Sequence, residues 1–221
     1  MDLAALDKGV AVKAAALGIV DRSRDGVPDT GVVAGVENGN CGNGIVIRNN
    51  DGFETQYCRL KNGSFPVKKG DVVCEGDIIG GVGFSGLTEF PHVHFTVRRD
   101  GELIDPFSPD QIGTCGQTAD AGLWADDLPY QPGGLIRIGV AFDVPDYQTI
   151  KEGYLGETSL PQDASALVVL GYGFGARAAD EVHIVVQVQR LFSMKAPMSW
   201  TAHRPCFSGR WAAHPTGWLG G

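Results

Sequence analysis

Phe90-Pro91-His92-Val93-His94-Phe95-Thr96-Val97-Arg98 decides how this chain is read. Pro91 has no amide hydrogen to donate, which suits the first position of a strand. Beyond it, side chains alternate in direction with period two. Val93, Phe95 and Val97 then face a core, and His92, His94 and Thr96 face the other way. Two imidazoles two residues apart on one strand face suit a shared metal-and-water site, because histidine is both the commonest metal ligand and the usual general base near neutral pH. The same spacing also occurs as a pair of half-buried histidines with no metal, so the neighbouring segments have to decide.

Those neighbours are specific as a set. Gly83-Phe84-Ser85-Gly86 precedes the strand, and Asp100-Gly101-Glu102-Leu103-Ile104-Asp105-Pro106-Phe107 follows it. Upstream stand Gly42-Asn43-Gly44-Ile45-Val46-Ile47, Thr55-Gln56-Tyr57-Cys58-Arg59-Leu60 and Val67-Lys68-Lys69-Gly70-Asp71-Val72-Val73. In this order, over about residues 2 to 107, the segments resemble the lysostaphin/LytM-type zinc metallopeptidases, which are peptidoglycan endopeptidases. The resemblance implies a twisted β-sandwich with an open groove, built on a duplicated hybrid motif. It also implies Zn2+ as cofactor, with His94 as a zinc ligand and His92 as the histidine that orients or deprotonates the water. In the family a strand like Gly9 to Ala16 follows a His-x-x-x-Asp motif whose His and Asp both bind zinc. Asp2 is the candidate for that Asp, although it stands seven residues before Gly9. The His has no counterpart here, and the chain is expected to begin late, with its natural N-terminus upstream of Met1. Where the family carries a second assisting His in a Tyr-x-His-Leu pattern, this sequence has Arg59. Arginine keeps its proton at any working pH and cannot act as a base. It is suited to stabilising an oxyanion or gripping a carboxylate of a peptide stem, or it is a solvated surface cation.

Composition sets the outer bounds. A chain of 221 residues has room for one large or two small domains, and 43% hydrophobic residues is ordinary for a globular protein. With 32 glycines, 12 prolines and short apolar runs, many short strands and tight turns are expected. A formal charge of −8 argues against nucleic acid as the main partner. No apolar run approaches the roughly 18 residues of a membrane span.

Five cysteines leave at least one unpaired within the chain. Cys41 and Cys58 flank a hairpin, Ile45 to Tyr57, that turns at Asn49-Asn50-Asp51-Gly52. They are either disulfide-bonded, which points to an oxidising compartment, or two reduced buried thiols. Cys74, Cys115 and Cys206 show no metal-type spacing.

In chain order, residues 2 to 8 read as a helix-like or loop entry, and residues 21 to 40, rich in Gly, Asp, Asn and Pro, as a long loop on the groove rim. Along residues 44–60, Thr55, Tyr57 and Arg59 are expected on one strand face, with Gln56, Cys58 and Leu60 on the other. The Gly70-Asp71 and Gly76-Asp77 turns resemble the lipoyl/biotinyl hybrid motif, but Lys68-Lys69 lacks the Met or Ala neighbour of a modified carrier lysine. Residues 113–133 read as a linker. Beyond it, Ile136, Ile138, Val140 and Phe142 alternate, as do Val182, Ile184, Val186 and Val188, with an apolar run from Ala166 to Leu170 between them.

The expected fold is therefore all-β. A LytM-like peptidase domain occupies 1–112, a second small antiparallel β-sandwich 134–190, and an irregular tail 191–221, where no acidic residue follows Glu181. The expected function is that of a periplasmic or secreted zinc metalloendopeptidase acting on peptidoglycan peptide cross-links, impaired by its ligand set. Loss of a general acid–base group lowers a rate by about 10² to 10⁴. The alternative is a degenerate, non-catalytic domain that binds cell-wall peptide stems or a partner cell-wall hydrolase.

Overall fold

The computed structural model describes residues 1–5, 8–31, 41–109, 122–126, 128, 131–151, 156, 159, 161, 163–164, 166–178, 180–185 and 199–202. The chain divides into two units: Met1–Tyr130 with Lys151–Gly153, and Gln131–Ile150 with Tyr154–Gly221.

The first unit consists of β1 (Asp2–Ala4), β2 (Ala11–Lys13), β3 (Gly18–Arg24), β4 (Asn43–Asn49), β5 (Phe53–Leu60), β6 (Val72–Val73), β7 (Ile78–Gly81), β8 (His92–Arg99) and β9 (Glu102–Ile104). Its main sheet runs β1-β8-β5-β4-β3-β6, with β9 added to β8, while β2 and β7 form a separate pair. Every pairing is antiparallel. The β4–β5 turn follows from its sequence. Asp51 (φ 56°) and Gly52 (φ 77°) both adopt the left-handed conformation. That is the backbone whose twist matches two antiparallel strands, and Asp-Gly tolerates it.

The core lies on one face of this sheet. Val20, Ile45, Ile47, Tyr57, Leu60, Val73, Ile79, Val93, Phe95 and Val97 are all buried there. Strand β8 alternates as its sequence dictates, with Val93, Phe95 and Val97 inward. The Tyr57 phenol is carried into this interior, and burial pushes its pKa up. Its oxygen accepts a hydrogen bond from the Ala15 amide at 2.8 Å. On the opposite face, Arg98 donates to Gln56 Oε1 at 2.8 Å and to Glu54 Oε1 at 3.3 Å, and Arg22 donates to Glu54 Oε2 at 3.0 Å.

Three expectations change. Residues 2–4 form a strand paired with β8, not a helix-like or loop entry. The loop expected from residue 21 starts later, since β3 runs through Arg24, and residues 32–40 lie outside the described residues. The face assignment in β5 fails at Arg59. Asn43 pairs with Leu60 and Gly44 with Cys58, so Arg59 is the extra residue of a β-bulge, at φ 66°. A bulge resets the alternation. Leu60 consequently turns into the core beside Tyr57.

Cys41 and Cys58 are disulfide-bonded, with their Cα atoms 4.9 Å apart. Closing a loop of this length stabilises a fold by about 3 kcal/mol in the chain-entropy account. Cys74 is free and exposed; Cys115 and Cys206 lie outside the described residues.

The second unit contains β10 (Gly134–Ala141), all but the last residue of α1 (Tyr147–Lys151), β11 (Val168–Phe174), β12 (Val182–Val185) and β13 (Ser199–Ala202). β10 pairs antiparallel with β11, and β12 with β13. A register shift between Leu135 and Arg137 breaks the alternation read at residues 136–142. Ile136 is buried, Ile138 is exposed, and Ala141 joins Val168 and Leu170 in a small apolar cluster. Asp146 caps α1, its Oδ2 accepting the Gln148 and Thr149 amides. Val186 and Val188, most of the stretch read as linker, and the tail apart from Ser199–Ala202 lie outside the described residues. Among the described residues no helix is long and apolar enough to cross a membrane.

Removing the Tyr57 hydroxyl leaves the Ala15 amide without its acceptor at a half-buried position. Tyr57→Phe is expected to lower unfolding free energy by about 1–2 kcal/mol. Urea denaturation checks this, with a lower midpoint at unchanged slope.

Candidate metal centre

The short strand β1 builds the site. Its register on β8 sets Asp2 opposite His94 and Ala4 opposite His92. Met1 and Phe95 exchange hydrogen bonds just before it, the Met1 ammonium donating to the Phe95 carbonyl at 3.0 Å and the Phe95 amide to the Met1 carbonyl at 2.8 Å. Asp2 Oδ1 then lies 2.7 Å from His94 Nδ1 and 3.3 Å from His92 Nε2. One ligand atom from each of the three residues falls within 4.8 Å of the other two.

The two imidazoles are not equivalent. His94 is partly open to solvent, whereas His92 is 3% exposed and stacks on Phe90 with ring centroids 4.3 Å apart. His92 Nδ1 lies 2.8 Å from the Phe90 carbonyl oxygen. A carbonyl only accepts, so Nδ1 carries the proton and Nε2 presents its lone pair. That Nε2 is buried with no hydrogen-bond partner, and it faces the Asp2 carboxylate oxygen, itself an acceptor, at 3.3 Å. Two acceptors facing each other at this distance call for a proton donor or a cation within the cluster. The donor set of one carboxylate and two imidazoles is one that zinc accepts. By this test the residues present fit a metal. Where a proton takes that place, the hydrogen bond that His92, and after it His94, donates to Asp2 holds the carboxyl far below the usual carboxylate range.

Arg59 reaches the same site. Its guanidinium donates to the Leu87 carbonyl oxygen. Burial pushes its pKa down and the Asp2 charge opposes that shift. The group starts so high that it stays protonated. All four residues singled out in the sequence, Asp2, Arg59, His92 and His94, thus lie at one end of the sheet.

The supporting residues were not singled out. Thr88 is buried; its hydroxyl donates to the Phe90 carbonyl at 2.8 Å and lies 3.3 Å from His92 Nδ1. Asn43 and Ser85, both fully buried, join four segments. The Asn43 amide donates to Ser85 Oγ, Ser85 Oγ donates to the Leu60 carbonyl, and the Asn43 side chain exchanges hydrogen bonds with the Val27 backbone. Asp29 accepts the Asn62 and Phe84 amides, and Asp25 accepts the Gly63 amide. The available signal was a set of small polar residues inside glycine-rich loops, where side chains substitute for ladder partners.

Residues 1–106 match Peptidase family M23. The match spans a little under half of the chain, all of it within the first unit. The curated relatives include the DD-carboxypeptidase/endopeptidase Mpg of Neisseria meningitidis serogroup B and that of Neisseria gonorrhoeae. Each is 37% identical over 70 residues, covering 32% of this chain and 16% of the relative. The chain thus spans about a sixth of the length of the curated relatives it matches. Among solved structures, the catalytic domain of the prophage-encoded M23 protein EnpA from Enterococcus faecalis, in a mutant form, is 27% identical, covering 51% of this chain and 76% of that one, with a TM-score of 0.39. The catalytic domain of lysostaphin from Staphylococcus simulans is 29% identical, covering 48% and 72%, with a TM-score of 0.38.

In the first unit, Thr88→Val removes the hydroxyl that braces the Phe90 carbonyl. The expected result is a loss of about 1 kcal/mol in stability. In nitrogen NMR spectra of the imidazoles, His92 is expected to pass from a single Nδ1–H tautomer to a mixture. A His92 signal that stays on one tautomer shows instead that the Phe90 carbonyl suffices.

Proposed function

We propose that the first unit is a zinc-dependent endopeptidase acting on peptide cross-links of peptidoglycan, at a periplasmic or secreted location. One observation carries this reading: Asp2, His92 and His94 converge on a common point, with the buried His92 Nε2 lone pair aimed into it. The match to Peptidase family M23 supports it, as does the endopeptidase activity in the name of the Neisseria relatives. The Cys41–Cys58 bond supports an oxidising compartment.

In this reading Asp2 and His94 hold zinc. A bound zinc lowers the pKa of its water towards neutrality and polarises the scissile carbonyl. His92, with its Nδ1 proton committed to the Phe90 carbonyl, would serve as the general base through Nε2. Arg59 is a fixed cation at the site. It donates hydrogen bonds to the developing oxyanion, or grips a carboxylate of the stem peptide. Two carried-over ligands hold zinc less tightly than a three- or four-ligand site, so this chain by itself is a weak hydrolase.

Arg59 also supports a second reading, in which the unit binds cell-wall peptide or a partner hydrolase without cutting. A permanently protonated group replaces a base there.

The deciding experiment is release of peptide fragments from purified peptidoglycan by the zinc-supplemented chain. Turnover that is abolished by a chelator, and that falls at least about 10²-fold in both His92→Ala and His94→Ala, is the expected result. Turnover unchanged in both variants contradicts the zinc site. Retained peptidoglycan binding with no turnover at any zinc concentration favours the second reading.

A further inference from the structure

Arg59 is in the wrong place for its position in the strand. By parity with Thr55 and Tyr57 its side chain belongs on the core face, yet the bulge between the Asn43–Leu60 and Gly44–Cys58 pairs turns it out. The turn requires φ 66° in a residue with a Cβ. Such a conformation is disfavoured for a residue with a Cβ and persists only where the surroundings fix it.

The surroundings do fix it, and the disulfide is central to them. Cys58 is the residue immediately before Arg59 and pairs across the sheet with His94. Its sulfur is bonded to Cys41. The Cys41 carbonyl accepts the Arg59 amide at 2.8 Å. The bond to Cys58 therefore holds, in front of the bulged residue, the one carbonyl that satisfies its amide. On the other side the Arg59 carbonyl accepts the Gly83 amide at 3.0 Å, where Gly83 packs against the Leu60 and Lys61 backbone too closely for a Cβ. Gln56 Nε2 lies 3.3 Å from Cys58 Sγ and 3.7 Å from Cys41 Sγ, which fills the space above the bond.

We propose that the Cys41–Cys58 disulfide is a positioning device for Arg59, holding its guanidinium at the Asp2–His92–His94 cluster only in the oxidised protein. This rests on the reading that Arg59 acts at that cluster. Two electrons and two protons from a dithiol reductant convert the bond to two thiols while the reductant closes to its own disulfide. Residue 41 is then no longer tethered to residue 58, and Arg59 relaxes to negative φ.

The test is a Cys41→Ser/Cys58→Ser variant of the full chain, which avoids thiol reductants that strip metal. The first readout is NMR of the metal-free protein. A strong intraresidue cross-peak between amide and Hα protons marks a positive φ. It is expected to weaken for Arg59 and to persist for Asp51 and Asp100, which also have positive φ. The second readout is kcat with Arg59→Ala in a double-mutant cycle. The cysteine pair and Arg59→Ala are each expected to lower kcat by the same factor, about 10² for one lost oxyanion donor, and the triple variant by no more. An unchanged Arg59 cross-peak overturns the proposal, as do kcat losses that multiply in the triple variant. If no form hydrolyses peptidoglycan, the endopeptidase reading fails and the NMR result alone decides this one. If the serine pair does not fold, Cys41→Ala/Cys58→Val is measured in the same way.

Discussion

The short pairing of β1 on β8 is the contact on which the candidate site depends. Three residues of one strand place a carboxylate between two imidazoles that belong to the other. Neither strand forms the cluster alone. β8 supplies two histidines on one face, but its own residues offer them no acid. A slip of one residue in the β1 register would turn Asp2 to the opposite face of the sheet. The reciprocal hydrogen bonds between Met1 and Phe95 pin that register from the end of the strand.

A second constraint acts one strand further in. The β5 bulge does two things at once. It returns Leu60 to the core, where it is fully buried, and it frees Arg59 from the core face to donate to the Leu87 carbonyl, within the influence of the Asp2 charge. The Asn43–Ser85 network closes the same corner, because Asn43 opens β4, Leu60 ends β5, and Ser85 belongs to the loop leading to β8. Core packing, loop anchoring and the placement of one cation thus share a few residues. Polar groups buried this deeply are tolerated because almost all are hydrogen-bonded.

Much of this was legible in the sequence, for physical reasons. The alternation of Val93, Phe95 and Val97 against His92 and His94 has a single structural solution, and Asp51-Gly52 is a turn that few other backbones fit. Asp2 was legible only as a candidate. Three residues carry too little periodicity to announce a strand, and its partner lies about 90 residues away. The Arg59 bulge was not legible, since a register shift depends on what both strands must bury. The same failure recurs at Arg137, where a shift in β10 leaves Ile138 exposed despite a clean alternating pattern. The roles of Thr88 and Asn43 were not legible because their side chains donate mainly to backbone carbonyls, which no side-chain pattern reports.

Zinc content of the purified chain tests the central claim most directly. The account predicts close to one zinc per chain at saturating metal, with binding lost or weakened at least about 10-fold in both His94→Ala and Asp2→Ala. Absence of zinc at saturating metal, or zinc that stays bound in both variants, would mean that Asp2, His92 and His94 form a hydrogen-bonded cluster and not a metal centre.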